Sequence, residues 1–186
     1  MTFSNYNYEK GVFMIYRERY MDKLIKYADN DFVKIVSGVR RCGKSSLLTL
    51  FKTYLLEQGV SEEQIIEINY EKYQFNELTD GKELHDYIHN NLVLDQKLYL
   101  LIDEIQELAE WAKVVNSLRV SFHADIYVTG SNARMFSGEH LSYLSGRYVE
   151  IKVLPLSFKE FLEFKAYTEN HIEDAFNEYL QVGSFH

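Results

Sequence analysis

Residues 38–45 read Gly38-Val39-Arg40-Arg41-Cys42-Gly43-Lys44-Ser45 and match G-x-x-x-x-G-K-[ST] at every fixed position. Chemistry explains the spacing. A loop of this kind curls its backbone N–H groups around a phosphate, and glycine permits both the tight curvature and the close approach. Lys44 reaches the β- and γ-phosphates as a point charge, and the Ser45 hydroxyl is a ligand for magnesium. The helix starting here also points its positive end at the anion. The flanks supply the context such a loop requires. Phe32 to Val36 reads as a buried strand before it, and Leu47, Leu48, Phe51, Tyr54 and Leu55 give the next segment a helical apolar face. Gly38, Val39, Arg40, Arg41, Cys42, Gly43, Lys44, Ser45 and Ser46 are therefore the candidate cofactor contacts.

Working outward, short apolar runs alternate with longer helical patterns, as in a parallel sheet covered by helices. Tyr16 to Ala28 predicts an opening helix. Ile65 to Asn69, Leu98 to Ile102, Ile126 to Thr129 and Tyr148 to Val153 predict four more strands, and Leu98 to Ile102 is apolar on both faces, as a central parallel strand should be. Leu84, Tyr87, Ile88 and Leu92 mark one intervening helix. Trp111, Val114, Val115, Leu118 and Phe122 mark another. Two closing helices follow, around Phe158, Phe161 and Leu162 and then from Ile172 to Leu180. The expectation is an α/β P-loop NTPase, a three-layer sandwich around a five-stranded parallel sheet with a short C-terminal helical segment. Its expected divisions are a lead-in helix over 1–30, the nucleotide-binding core over 31–155 and the start of a helical lid over 156–186.

The central strand ends in Asp103-Glu104. A carboxylate at the C-terminal end of a buried strand beside a phosphate cradle is where magnesium's hydration shell needs an anchor. Asp103 would hold the metal, together with Ser45, and Glu104 would orient and deprotonate an attacking water. Asp103 lies 59 residues after Lys44 with the Ile65 to Asn69 strand between them, so the acids fall on the third strand of the core. The fourth strand ends in Thr129-Gly130-Ser131-Asn132. Ser131 or Asn132 either bonds the γ-phosphate or the water, or else forms a turn capping the next helix. Arg147 precedes the fifth strand, where an arginine serves a neighbouring subunit's phosphoryl transfer or pairs with Glu139 or Glu150. Arg40 and Arg41 add phosphate or subunit contacts, or else are solvated on the loop's outer side.

Composition narrows the classes. The chain has 186 residues, 46% hydrophobic and 26% charged, which is ordinary for one globular domain. Its formal net charge of −8 argues against a generic nucleic-acid surface, which needs clustered Lys and Arg. No apolar run approaches a membrane span, and Met1 to Lys10 lacks a basic-then-apolar leader pattern. The single cysteine, Cys42, excludes an internal disulfide framework and fits a reducing cytoplasm. His85 and His89 stand four apart on a helix, but neither the glutamate nor the third ligand of a zinc protease accompanies them. Tyr16 and Tyr20 on the opening helix are candidates to stack on an adenine.

Five segments together carry a resemblance. Ser37 to Ser45, Ile102-Asp103-Glu104-Ile105-Gln106, Thr129-Gly130-Ser131-Asn132-Ala133, Leu144-Ser145-Gly146-Arg147 and Pro155-Leu156-Ser157-Phe158 with Glu160-Phe161 occur in this order. The chain, from about Arg17 to its end, resembles the prokaryotic AAA-type ATPases whose ATPase core precedes a C-terminal domain of unknown function. The resemblance implies a sheet of order 5-1-4-3-2, ATP and Mg2+ as cofactors, and Asp103 and Glu104 as the hydrolytic pair. It implies Ser131 or Asn132 as sensor and Arg147 as a finger acting in trans within a homo-oligomer. Similar chains run from the last helix through a Gly-Gly-aromatic-Pro turn into the further domain. Here the stretch is Gly183-Ser184-Phe185-His186, which reads as a truncation. The expected activity is magnesium-dependent ATP hydrolysis (Lys44, Glu104, Ser131, Asn132 and Arg147 acting) coupled to a conformational change for an unknown protein partner. Nucleic acid would enter only through a missing C-terminal region. The competing readings are a phosphotransferase acting on a small acceptor and a non-hydrolysing nucleotide-binding module. A GTPase is disfavoured because no Asn-Lys-x-Asp stretch occurs.

Overall fold

A short antiparallel hairpin, β1 (Tyr6–Glu9) and β2 (Val12–Ile15), precedes α1 (Glu18–Lys26) in the computed structural model, which describes residues 6–9, 12–93, 95–131, 138–165, 167 and 171–182. The hairpin departs from the sequence expectation of a helix alone over 1–30. Its four-residue strands are too short to show a period, and their pairing is with each other rather than with the main sheet.

The core follows as β3 (Val33–Ser37), α2 (Lys44–Glu57), β4 (Ile65–Asn69), α3 (Gly81–Asn91), β5 (Tyr99–Asp103), α4 (Trp111–Phe122), β6 (Asp125–Gly130) and β7 (Tyr148–Lys152). Then come α5 (Phe158–Phe164) and α6 (Ile172–Val182). Among the described residues the larger sheet has five strands in the order β4-β5-β6-β3-β7, all parallel where they pair. Counted from the other edge and numbered within the core, this is the expected 5-1-4-3-2. The crossing from β4 and β5 back to β6, beside β3, brings the C-terminal ends of β3, β5 and β6 together. Ligands of open α/β sheets bind outside such strand ends.

Alternation along the strands builds two cores. Ile35, Ile68, Leu100, Ile102 and Val128 face α3 and α4, packing on Leu84, Ile88, Trp111, Val115 and Leu118. Val36, Leu101, Tyr127 and Ile151 face α1 and α2, packing on Met21, Leu24, Leu47, Phe51 and Leu55. Phe51 lies against the Tyr127 ring at 4.4 Å between centroids. Both faces of the sheet are thus covered, which is why the strands read as apolar runs instead of alternating ones. No described helix is long and apolar enough to cross a membrane.

An ion pair sits inside this apolar frame. Lys34 on β3 is fully buried, pairing with Asp125 of β6 and donating to the Asn30 carbonyl at 3.2 Å. Asp125 also accepts from the Tyr127 hydroxyl at 3.1 Å and from the Asp29 backbone N–H at 2.8 Å. Burial pushes the Lys34 ammonium below its ordinary value, and Asp125 opposes that shift. The pair lies at the N-terminal edge of the sheet, away from the strand ends that carry the cradle.

Candidate functional site

The cradle begins where β3 runs out. Gly38 packs so close to the end of β7 that a Cβ there would collide with the Val153 carbonyl oxygen and meet the Cys42 sulfur at 2.7 Å. Arg41 and Gly43 both take positive φ, 64° and 92°, the left-handed backbone from which anion nests are built. Lys44 opens α2, is 4% exposed, and donates from Nζ to the Val39 carbonyl at 3.1 Å and to Ser131 Oγ at 3.2 Å. Its charge is held across the loop instead of trailing into solvent.

Beside it a cavity of about 390 Å³ is lined by Arg40, Arg41, Gly43, Lys44, Ser45, Ser46, Glu71 and Glu104. Its lining combines the basic groups and the helix start with the carboxylates of Glu71 and Glu104. Arg40 is solvated, 80% exposed, and meets Glu71 at 3.6 Å across the mouth. Cys42 is buried, and burial raises its thiol pKa despite Lys44 and Arg17 nearby.

The acid pair divides by environment. Asp103 is buried at the end of β5, where Thr129 Oγ1 donates to one oxygen and Asn69 Nδ2 to the other at 3.0 Å. Burial raises its carboxyl above the usual range. Hydrogen bonds from Thr129 and Ser45 act against that shift, while Glu104 and Glu71 add to it. A hydroxyl on a carboxylate is the donor set that suits magnesium, which takes one or two protein oxygens and leaves its other positions to water and phosphate. Ser45 and Asp103 therefore fit the metal they are expected to hold. No cluster of three His, Cys, Asp or Glu side chains with metal-site geometry occurs among the described residues. The His85 ring instead packs tilted against Phe122, with centroids 4.8 Å apart.

Glu104 leaves the strand in the left-handed conformation, φ 56°, which turns its side chain toward the cradle cavity. Its backbone N–H donates to Thr129 Oγ1 at 3.1 Å, and its carboxylate accepts from Ser131 at 2.8 and 3.0 Å and from Gln106. Ser131 thus joins Lys44 to Glu104. Asn132 lies outside the described residues. Arg147 is exposed and stands at the opposite end of the sheet, its carbonyl accepting from Val33 at the start of β3. Glu150, a partner considered for it, instead accepts from Ser37.

Next to the cavity beside Lys44 is an apolar slot of about 90 Å³ between the hairpin and α5, lined by Met14, Ile15, Arg17, Arg41, Cys42, Gly43, Ser46, Leu47, Leu156 and Phe164. Neither tyrosine considered for adenine stacking belongs to it. Tyr20 is 4% exposed, with its ring beneath the Arg17 guanidinium at 4.5 Å and its hydroxyl accepting from Leu154 N–H at 3.1 Å. Tyr16 lines a separate groove between α1 and α5. Sequence reading gave no site role to Arg17, Asn69, Glu71, Gln106 or the slot residues outside the loop, Met14, Ile15, Leu47, Leu156 and Phe164. Asn69 was discoverable as the last residue of a strand adjacent to the acids, whereas Arg17 and Phe164 carry no local signal.

The chain is similar to known proteins in sequence and in fold. An uncharacterized protein of Haemophilus influenzae is 46% identical over 175 residues, covering 92% of this chain and 44% of the relative. An uncharacterized protein of Methanocaldococcus jannaschii is 33% identical over 165 residues, covering 82% of this chain and 35% of its own length. The chain thus spans less than half the length of these curated relatives. Among solved structures, the Aeropyrum pernix ORC1 protein in complex with DNA is similar with a TM-score of 0.58 at 14% identity, covering 87% of this chain and 49% of that one. AMPPCP-bound DnaA from Aquifex aeolicus gives 0.51 at 13% identity, covering 88% and 59%. At such identities the likeness is one of fold. The profile of the AAA domain family matches residues 30–162, from just before β3 into α5, and the chain belongs to that family, with an AAA-type P-loop ATPase fold.

Proposed function

We propose that this domain binds ATP with magnesium, hydrolyses it, and uses the resulting change to move a protein partner. The observation that carries the reading is the contact chain Lys44–Ser131–Glu104, at 3.2 and 2.8 Å, which links the cradle's cation to an acid on the next strand but one from the loop. Nothing in simple phosphate binding requires a carboxylate there. Positioning a water for in-line attack does.

In this reading the nest at 38–43 and Lys44 hold the β- and γ-phosphates, and the apolar slot takes the base. Ser45 and Asp103 hold magnesium, which when bound neutralises charge on the phosphate oxygens. Glu104 accepts the proton of the attacking water. Ser131 can turn its hydroxyl from Glu104 to a phosphate oxygen and so connects occupancy of the cradle to release of the acid. Arg147 is too far along its own strand to reach the cradle, so any role it has in phosphoryl transfer is toward a neighbouring copy.

The test is phosphate release from MgATP with no acceptor added. Steady release, abolished in Glu104→Gln while binding persists, is the expected result. Release only when an acceptor is supplied would make the domain a phosphotransferase, and tight binding with no release would make it a binding module.

A further inference from the structure

Arg17 opens α1 and is 7% exposed, yet it belongs to neither core cluster. Its guanidinium has five N–H donors and makes five hydrogen bonds. Nε donates to Glu160 Oε1 at 2.7 Å, and Nη2 donates to Glu160 Oε2 at 3.2 Å and to the Pro155 carbonyl at 3.5 Å. Nη1 donates to the carbonyls of Cys42 at 3.0 Å and Leu154 at 2.9 Å. One side chain therefore ties the cradle, the turn after β7 and α5 to the lead-in helix.

Glu160 has a second duty. Its Oε2 accepts from the Ser157 backbone N–H at 2.7 Å while the Ser157 hydroxyl accepts from the Glu160 N–H at 3.3 Å, a capping box that starts α5. The carboxylate gripped by Arg17 is thus the one that sets where α5 begins. Leu156, just before α5, and Phe164, its last residue, line the apolar slot. Cys42, whose carbonyl Arg17 also holds, lines the same slot.

We propose that Arg17 and Glu160 form a positioning pair that sets how α5 closes over the base slot beside the cradle. Neither residue lines the phosphate-side cavity, and of the two only Arg17 reaches the edge of the slot. The pair acts through Leu156 and Phe164, and the proposal rests on the nucleotide-binding reading above. A fork with bidentate geometry suits the task. Lysine offers one compact cation and cannot hold a carboxylate and three carbonyls at once.

Two ligands separate a positioning role from general bracing. MgATP engages both cradle and slot, while inorganic tripolyphosphate engages the cradle alone. Glu160→Gln keeps the capping box, since Gln serves at that position, but removes the charge that Arg17 grips. By calorimetry this variant is expected to bind MgATP about tenfold more weakly, within the usual range for coupled sites, and to bind tripolyphosphate as the parent does. Arg17→Lys should show the same loss for MgATP. Hydrogen exchange across residues 158–164 should slow on adding MgATP to the parent and stay unchanged in both variants. The proposal is overturned if Glu160→Gln binds MgATP like the parent, or if both ligands weaken by the same factor. A parent that binds neither ligand overturns the nucleotide reading itself. A parent that binds both, with variants indistinguishable from it, overturns only the pair.

Discussion

The Ser131 hydroxyl donates to both carboxylate oxygens of Glu104, at 2.8 and 3.0 Å, although 27 residues separate the two in sequence. The same oxygen accepts from Lys44 at 3.2 Å. Ser131 is therefore a shared partner of the cradle's cation and the candidate base, placed where a phosphate oxygen would compete for its proton. In Ser131→Ala, turnover of MgATP is expected to fall about 10²–10³-fold with binding little changed, as for loss of one aligned donor. Parent-like steady-state rates would separate Ser131 from the chemistry.

Lys44 is buried and bonded across its own loop, so its charge is committed to the cradle cavity. Lys44→Ala should weaken ATP binding about 10–100-fold, the cost of losing charge-assisted bonds. Isothermal titration of the variant checks this, and an unaltered affinity would contradict the cradle assignment.

Glu104 and Asp103 are adjacent but not equivalent, since only Asp103 is buried among Thr129, Asn69 and Ser45. Glu104→Gln should retain ATP and lose turnover by about 10²–10⁴, the usual contribution of a general base. A variant hydrolysing at the parent rate would move the base role elsewhere.

The Lys34–Asp125 pair should act on stability alone. Asp125→Ala strands a buried cation and is expected to cost about 3–5 kcal/mol in chemical denaturation. Replacing both partners by apolar residues of similar volume should cost less than that. A loss below 1 kcal/mol for Asp125→Ala, at about the surface-pair level, would mean that Lys34 finds water or another acceptor.

Arg147 lies about 20 Å along the strands from the start of its own cradle, at ~3.3 Å per residue. It is exposed, and under the ATPase reading proposed above it would act on a neighbouring copy. Specific activity is expected to rise with protein concentration, and Arg147→Ala should flatten that profile. A parent whose specific activity is already flat would remove the finger role.

The cradle was legible without any structure because its determinants are local. Gly38, Gly43, Lys44 and Ser45 act through the backbone of one short loop and the first turn of α2. The strands and helices were legible for a similar reason. Leu98 to Ile102 is apolar on both faces, and Trp111, Val115 and Leu118 repeat at helical spacing, so burial writes its period into neighbouring residues. The hairpin at 6–15 had too few residues to show a period, and Lys34 was hidden inside a strand among Val33, Ile35 and Val36. What tertiary structure alone decided is every contact between distant segments. Ser131 meets Glu104 only because β6 inserts beside β5, and Lys34 meets Asp125 only because β6 also pairs with β3. Arg17 meets Glu160 across 143 residues because α5 returns to the lead-in helix. Side-chain charge is visible in a sequence, but whether it faces solvent, a phosphate or an opposite charge depends on strand order and helix placement, which are set by the packing of the whole chain.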